Sequence, residues 1–133
     1  MRPFNIRGQF DSHELFRRMV FNILIGNVDD HLRNHALLMV SPGRFVLSPA
    51  FDLVPHISAA IHPQSIGVGA QGAASTIANA LSQCGRFLLK PAEASAIVES
   101  VRSVVAGWMV DFRQAGICRS DIAVLANCIS VQR

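Results

Sequence analysis

Apolar residues recur at helical spacing through Leu15, Phe16, Met19, Val20, Ile23 and Leu24, while Arg17 and Arg18 fall on the opposite side. That period predicts an amphipathic helix with one buried stripe. Asp11 reads as its capping residue, with Glu14 three places on, and Gly26 as its stop. The period is lost over Asn27–His35, a polar stretch that reads as a loop. Two short apolar runs follow, Ala36–Val40 and Arg44–Leu47, on either side of Ser41-Pro42-Gly43; this pattern predicts a β-hairpin. Ser48–Pro55 leaves the hairpin as an irregular segment. Residues 56–72 are rich in Gly, His, Pro and Ser and read as a long loop, a feature uncommon in small domains and often functional. Ala73–Gln83 reads as a short helix ended by Gly85. Pro91 suits the first position of a long helix in which Ala94 to Phe112 keep a spacing of three or four, up to Gly116. Ser120 is expected to cap a last helix containing Ile122, Val124, Leu125 and Ile129. The expected fold is mainly α: one domain over residues 1–133, with a small β-hairpin presenting a charged loop.

Composition changes this picture in one respect. Half of the residues are hydrophobic and 16% are charged, against about a quarter charged in ordinary soluble domains. No apolar run approaches the ~18 residues of a membrane span, and Met1–Asn5 has neither the apolar core nor the cleavage site of a leader. A cytoplasmic domain with no membrane contact is expected, its surplus apolar surface left for a partner. The net charge of +3 is modest and its basic residues are scattered, with Arg17-Arg18 the only adjacent pair; no nucleic-acid surface is expected. Cys84, Cys118 and Cys128 are odd in number and far apart. They form no zinc or disulfide pattern and are expected to be buried free thiols.

The candidate chemistry is concentrated. Asp29, Asp30, His31, Asn34, His35, Asp52 and His56 flank the hairpin on both sides. The two ends of a hairpin are neighbours, so the loop before it and the segment after it should meet. Two carboxylates and an amide oxygen, from Asp29, Asp52 and Asn34, would make a hard-oxygen site suited to Mg²⁺. In protein kinases a catalytic-loop Asp accepts the substrate hydroxyl's proton, an Asn five residues later binds Mg²⁺, and a later Asp also holds the metal. Asp29 and Asn34 stand five apart here, and Asp52 follows the hairpin. Other readings stay open. Asp29 alone could be a solvated loop carboxylate, and Asp52 could cap a helix starting near Leu53. His31 and His35 could join Asp29 around zinc, although no fourth ligand has a familiar spacing. Asp29, His31, Asp52 and His56 could serve a metal-dependent hydrolase.

With these residues in view, Ile25-Gly26-Asn27-Val28-Asp29-Asp30-His31-Leu32-Arg33-Asn34-His35 resembles the catalytic loop of HipA-type serine/threonine kinases. Leu47-Ser48-Pro49-Ala50-Phe51-Asp52-Leu53 is similar to that family's metal-binding segment. Leu15–Asn22 resembles the helix before the loop. Gly85-Arg86-Phe87, Lys90–Ala94 and Trp108 resemble later helices, so the likeness runs over roughly residues 11–117. It implies a kinase C-lobe-like helical domain and ATP-dependent phosphorylation of a protein serine or threonine, usually within a toxin–antitoxin operon. It implies Asp29 as catalytic base, His31 in a supporting role, and Asn34 and Asp52 as Mg²⁺ ligands.

Kinases also need a glycine-rich loop over the phosphates and a strand lysine. The sole lysine is Lys90, and the glycine-rich stretch Gly67–Gly72 comes after the acidic motifs. An ATP-binding lobe is therefore expected to be absent and the chain inactive alone. A second chain supplying that lobe, an antitoxin-like regulator, or a second copy of the chain are the partners expected. A non-catalytic interaction module is the alternative.

Overall fold

A computed structural model describes residues 4–58 and 60–133. Met1–Pro3, part of the stretch read above for a leader, and Ala59, within the long loop, lie outside the described residues.

The fold is mainly α. Helix α1, Gly8–Ile25, buries the stripe its sequence predicts: Phe16, Val20, Ile23 and Leu24 have no exposed surface. It ends where predicted, at Gly26, which takes φ 73°. That conformation favours glycine, and a Cβ here would also meet the Cys128 carbonyl oxygen at 2.7 Å. The start differs from expectation. The helix begins at Gly8, so Asp11 is no cap but a first-turn residue, 1% exposed. Its carboxylate accepts the Leu47 N–H at 2.7 Å and faces the Arg7 guanidinium at 3.2 Å. Burial works to raise the Asp11 pKa, but the Leu47 N–H, the Asn5 side chain and Arg7 outweigh it and hold the carboxyl below its ordinary value.

The hairpin forms as the Pro-Gly turn predicts. Strands β2, Leu37–Ser41, and β3, Arg44–Leu47, pair antiparallel, with Leu38 opposite Val46 and a register irregularity between Met39 and Ser41. A short strand unforeseen from sequence, β1 (Phe4–Asn5), runs parallel to β3, giving the order β1–β3–β2. Strand β2 is thus an edge. Its Leu37, Leu38, Met39 and Val40 are 49–64% exposed.

Helix α2 spans Ile77–Ser82 and is capped by the Thr76 hydroxyl, which accepts the Asn79 N–H; the helix expected from Ala73 therefore starts later. The single helix expected from Pro91 is two, α3 (Pro91–Ala106) and α4 (Trp108–Gln114), separated at Gly107. Helix α3 supplies Ala94, Val98, Val101 and Val105 to the same core as α1. Trp108 is half-buried at its edge, stacked edge-to-face on Phe112 at 5.3 Å. Helix α5, Arg119–Leu125, follows Cys118, so Ser120 lies inside it rather than capping it. Cys84 and Cys128 are buried free thiols; Cys118 is exposed, against expectation.

Among its described residues the long loop carries no helix or strand, only a single bridge between Gly69 and Gly72. Polar side chains from α2 hold it. The Ala70 N–H donates to the Ser82 hydroxyl at 2.9 Å and the Gln71 N–H to Asn79 Oδ1 at 2.8 Å. These donors are engaged internally, so the glycine-rich stretch is a packed turn and not a phosphate cradle. No described helix is long and apolar enough to cross a membrane.

Candidate functional site

The acidic loop leaves α1 at Gly26 and is fastened residue by residue. Asn27 is buried; its N–H reaches the Asn22 carbonyl at 2.9 Å. Its side-chain amide donates both to Asn22 Oδ1 at 3.1 Å and to the Asp52 carbonyl at 3.3 Å. The Val28 carbonyl accepts the Ser65 N–H at 2.9 Å and the Ser65 hydroxyl at 2.8 Å. A 3-10 turn at Leu32–Asn34 follows. Asn34, itself buried, donates its backbone N–H to the His31 carbonyl at 2.9 Å and its side-chain amide to the Asp29 carbonyl at 3.2 Å. Asp30 is 4% exposed and its carboxylate meets His35 Nε2 at 2.7 Å. The Asp29 carboxylate is exposed and accepts no hydrogen bond from the described residues.

On the far side of the hairpin, α1 holds two successive residues. Asp11 takes the Leu47 N–H, and Arg18 Nη2 donates to the Ser48 carbonyl at 2.7 Å. The segment beyond is tied back by the His56 N–H, which donates to the Gly26 carbonyl at 3.0 Å. Within it Asp52 takes φ 56°, a left-handed conformation uncommon for residues other than glycine and often found at functional sites.

The hairpin thus brings the two acidic motifs together. Asp29 and Asp52 line one open cavity of about 300 Å³, with Asn27, Val54, Pro55 and His56. Asn34 does not line it and is joined to it through the Asp29 carbonyl. His31 does not line it either; its ring is half-buried, with Nδ1 buried and unpartnered. Asn27 is a site residue that sequence reasoning passed over. Its signal was slight, a polar residue directly after the glycine that ends a helix. A larger hollow of about 610 Å³ lies against Ile6–Phe10 and His13 and is lined by no carboxylate.

The donor set bears on which ion could sit here. Among the described residues no three His, Cys, Asp or Glu side chains form a metal-holding group. Zinc held by Asp29, His31 and His35 is not supported, since His35 is occupied by Asp30. The hydrolase set of Asp29, His31, Asp52 and His56 does not converge either, as His31 lies outside the cavity. Mg²⁺ asks for less, taking one or two carboxylates alongside water and substrate phosphates. The Asp52 carboxylate on the open cavity meets that demand, while Asn34, the amide ligand expected from sequence, is buried beside the cavity with its amide nitrogen on the Asp29 carbonyl.

Comparison with known proteins agrees with the motifs. The family model described as HipA-like C-terminal domain matches residues 2–108. The chain belongs to that family. This HipA-like domain is also 47% identical over 47 residues to the protein named "Putative kinase Y4dM" of Sinorhizobium fredii (strain NBRC 101917 / NGR234). The match covers 35% of the chain and 12% of the relative, so the chain spans about an eighth of that relative's length. No solved structure matches it.

Proposed function

We propose that this chain is the catalytic-loop half of a HipA-like protein serine/threonine kinase, with a fold corresponding to a kinase C-lobe. The observation that carries the reading is the meeting of Asp29 and Asp52 on one open cavity, with the Asp29 carboxylate unengaged. In this role Asp29 takes the proton of a seryl or threonyl hydroxyl as its oxygen bonds to the γ-phosphorus of ATP and the bond to ADP breaks. Its exposure suits it to a protein side chain arriving from solvent. Asn34 and Asp52 are the residues that would hold Mg²⁺. That ion, when bound, neutralises charge on the phosphates. His31 supports the loop by accepting the Asn34 N–H on its carbonyl. Among the described residues no glycine-rich loop follows a strand and no strand carries a lysine. The ATP-binding lobe must therefore come from another segment or another chain. A cytoplasmic setting beside an antitoxin-like regulator belongs to the same proposal.

The test is reconstitution with a complementary ATP-binding lobe, labelled ATP, Mg²⁺ and candidate protein substrates. The 133-residue chain alone is expected to transfer little phosphate, and the pair substantially more. Asp29→Asn is expected to lower the pair's rate by about 10²–10⁴-fold, the usual contribution of a positioned base. Activity that survives Asp29→Asn would refute the base assignment, and robust transfer by the chain alone would refute the need for a second lobe. The exposed apolar edge of β2 favours a second reading, a non-catalytic module that binds a regulator or a second copy. That reading predicts a stable complex and no transfer with any lobe.

A further inference from the structure

Asp30 carries no role in the mechanism above, yet it is the buried carboxylate of the acidic loop. Burying a charge is costly unless it is paired and hydrogen-bonded, and the pairing here is with one group. The 2.7 Å separation from His35 Nε2 is short, as in a charge-assisted bond. Among the described residues the His35 ring has no second partner, since its Nδ1 is buried and unpaired. The pair therefore spends both side chains on one contact.

Its place in the chain gives the contact a consequence. Asp30 follows Asp29, and His35 follows Asn34, so this contact lies beside the one from Asn34 Nδ2 to the Asp29 carbonyl. Beyond His35, the Ala36 carbonyl accepts the Ser48 N–H at 2.8 Å and β2 begins. The pair thus couples the residue next to Asp29 to the base of the hairpin whose other strand leads to Asp52. On the Val28 side Ser65 provides an anchor; on the other side the Asn34 amide holds the Asp29 carbonyl and His35 holds the Asp30 side chain.

We infer that Asp30 and His35 form a positioning pair that fixes Asp29 and Asn34 relative to Asp52. This inference rests on the kinase reading for its purpose, though its geometry stands apart from it. The test uses the isotope-labelled 133-residue chain, followed by amide NMR, with Mn²⁺ alone as the probe. In the native chain Mn²⁺ is expected to broaden the amides of Asp29, Asn34 and Asp52. Asp30→Ala and His35→Phe should each raise hydrogen exchange of the Asn34 N–H at least about tenfold and weaken Mn²⁺ binding about tenfold, a shift of one hydrogen bond's order. Amides of α1 and α3 should be unchanged, which separates local loosening from unfolding.

Two comparisons distinguish positioning from simple charge. Asp30→Asn removes the same charge as Asp30→Ala but keeps an accepting oxygen, so it should restore native exchange and binding to within about threefold. His35→Phe leaves the Asp30 carboxylate in place, so a purely electrostatic role predicts Mn²⁺ binding as tight as native or tighter, where positioning predicts weaker. Native exchange in both Asp30→Ala and His35→Phe overturns the inference. So do Mn²⁺ binding as tight as native or tighter in His35→Phe and a loss in Asp30→Asn equal to that in Asp30→Ala. If either full removal prevents folding, the other and Asp30→Asn still decide. Absence of Mn²⁺ broadening in the native chain would instead count against the metal-site reading, and the exchange measurements would still judge the pair.

Discussion

Replacing Asp11 with alanine tests how firmly α1 holds the hairpin. The change removes the acceptor of the buried Leu47 N–H and half of the pair with Arg7. A hydrogen bond to a charged group contributes about 1.5–3 kcal/mol, and a stranded buried donor costs about 1–3 kcal/mol, two views of largely the same loss. Arg7 is half-exposed, so its share is below about 1 kcal/mol. The expected destabilisation at pH 7 is therefore about 2–4 kcal/mol, and about half that for Asp11→Asn, which keeps an oxygen for the Leu47 N–H. The pH dependence follows from the lowered pKa. The folded state holds this carboxyl deprotonated to lower pH than the unfolded chain does. Its stabilisation is complete above the unfolded value, about 4, and is lost as pH falls through the folded value. Urea denaturation of native and Asp11→Ala chains at a series of pH values measures this directly. The gap between them should be full at pH 7 and narrow below about pH 4. A gap under about 0.5 kcal/mol at pH 7, or one that widens on acidification, would refute the reasoning.

Two further outcomes are expected. Gly26→Ala forces a side chain into φ 73° and against the Cys128 carbonyl, which should cost at least about 1–3 kcal/mol, seen as a lower thermal midpoint; an unchanged midpoint would contradict the crowding. At Asp52, φ 56° makes glycine the comfortable residue, so Asp52→Gly should be more stable than Asp52→Ala by about 1 kcal/mol. Both should lose phosphotransfer in the reconstituted pair, and an Asp52→Ala chain as stable as Asp52→Gly would deny strain at this position.

Much of this architecture was legible because it is written in local spacing. The stripe of α1, the stop at Gly26 and the Pro-Gly hairpin each need only neighbours in sequence. What escaped notice depends on distant partners. Strand β1 is two residues long and exists by pairing with β3, so no period announces it. Asp11 has the composition of a cap, and only the approach of Leu47 turns it into a cross-link. Gly107 divides a continuous apolar pattern that by itself reads as one helix. At the site, the nearness of Asp29 and Asp52 follows from the hairpin, whose two ends are neighbours. The bond from the Asn34 amide to the Asp29 backbone is not legible in the spacing, because it depends on the 3-10 turn between them.

The amide of Asn27 has a mechanical consequence. One planar group clasps the last turn of α1 and the backbone of residue 52 at once, so a tilt of that helix end carries both acidic arms in the same direction. A displacement of that helix end would then move residues 27 and 52 together, as one jaw.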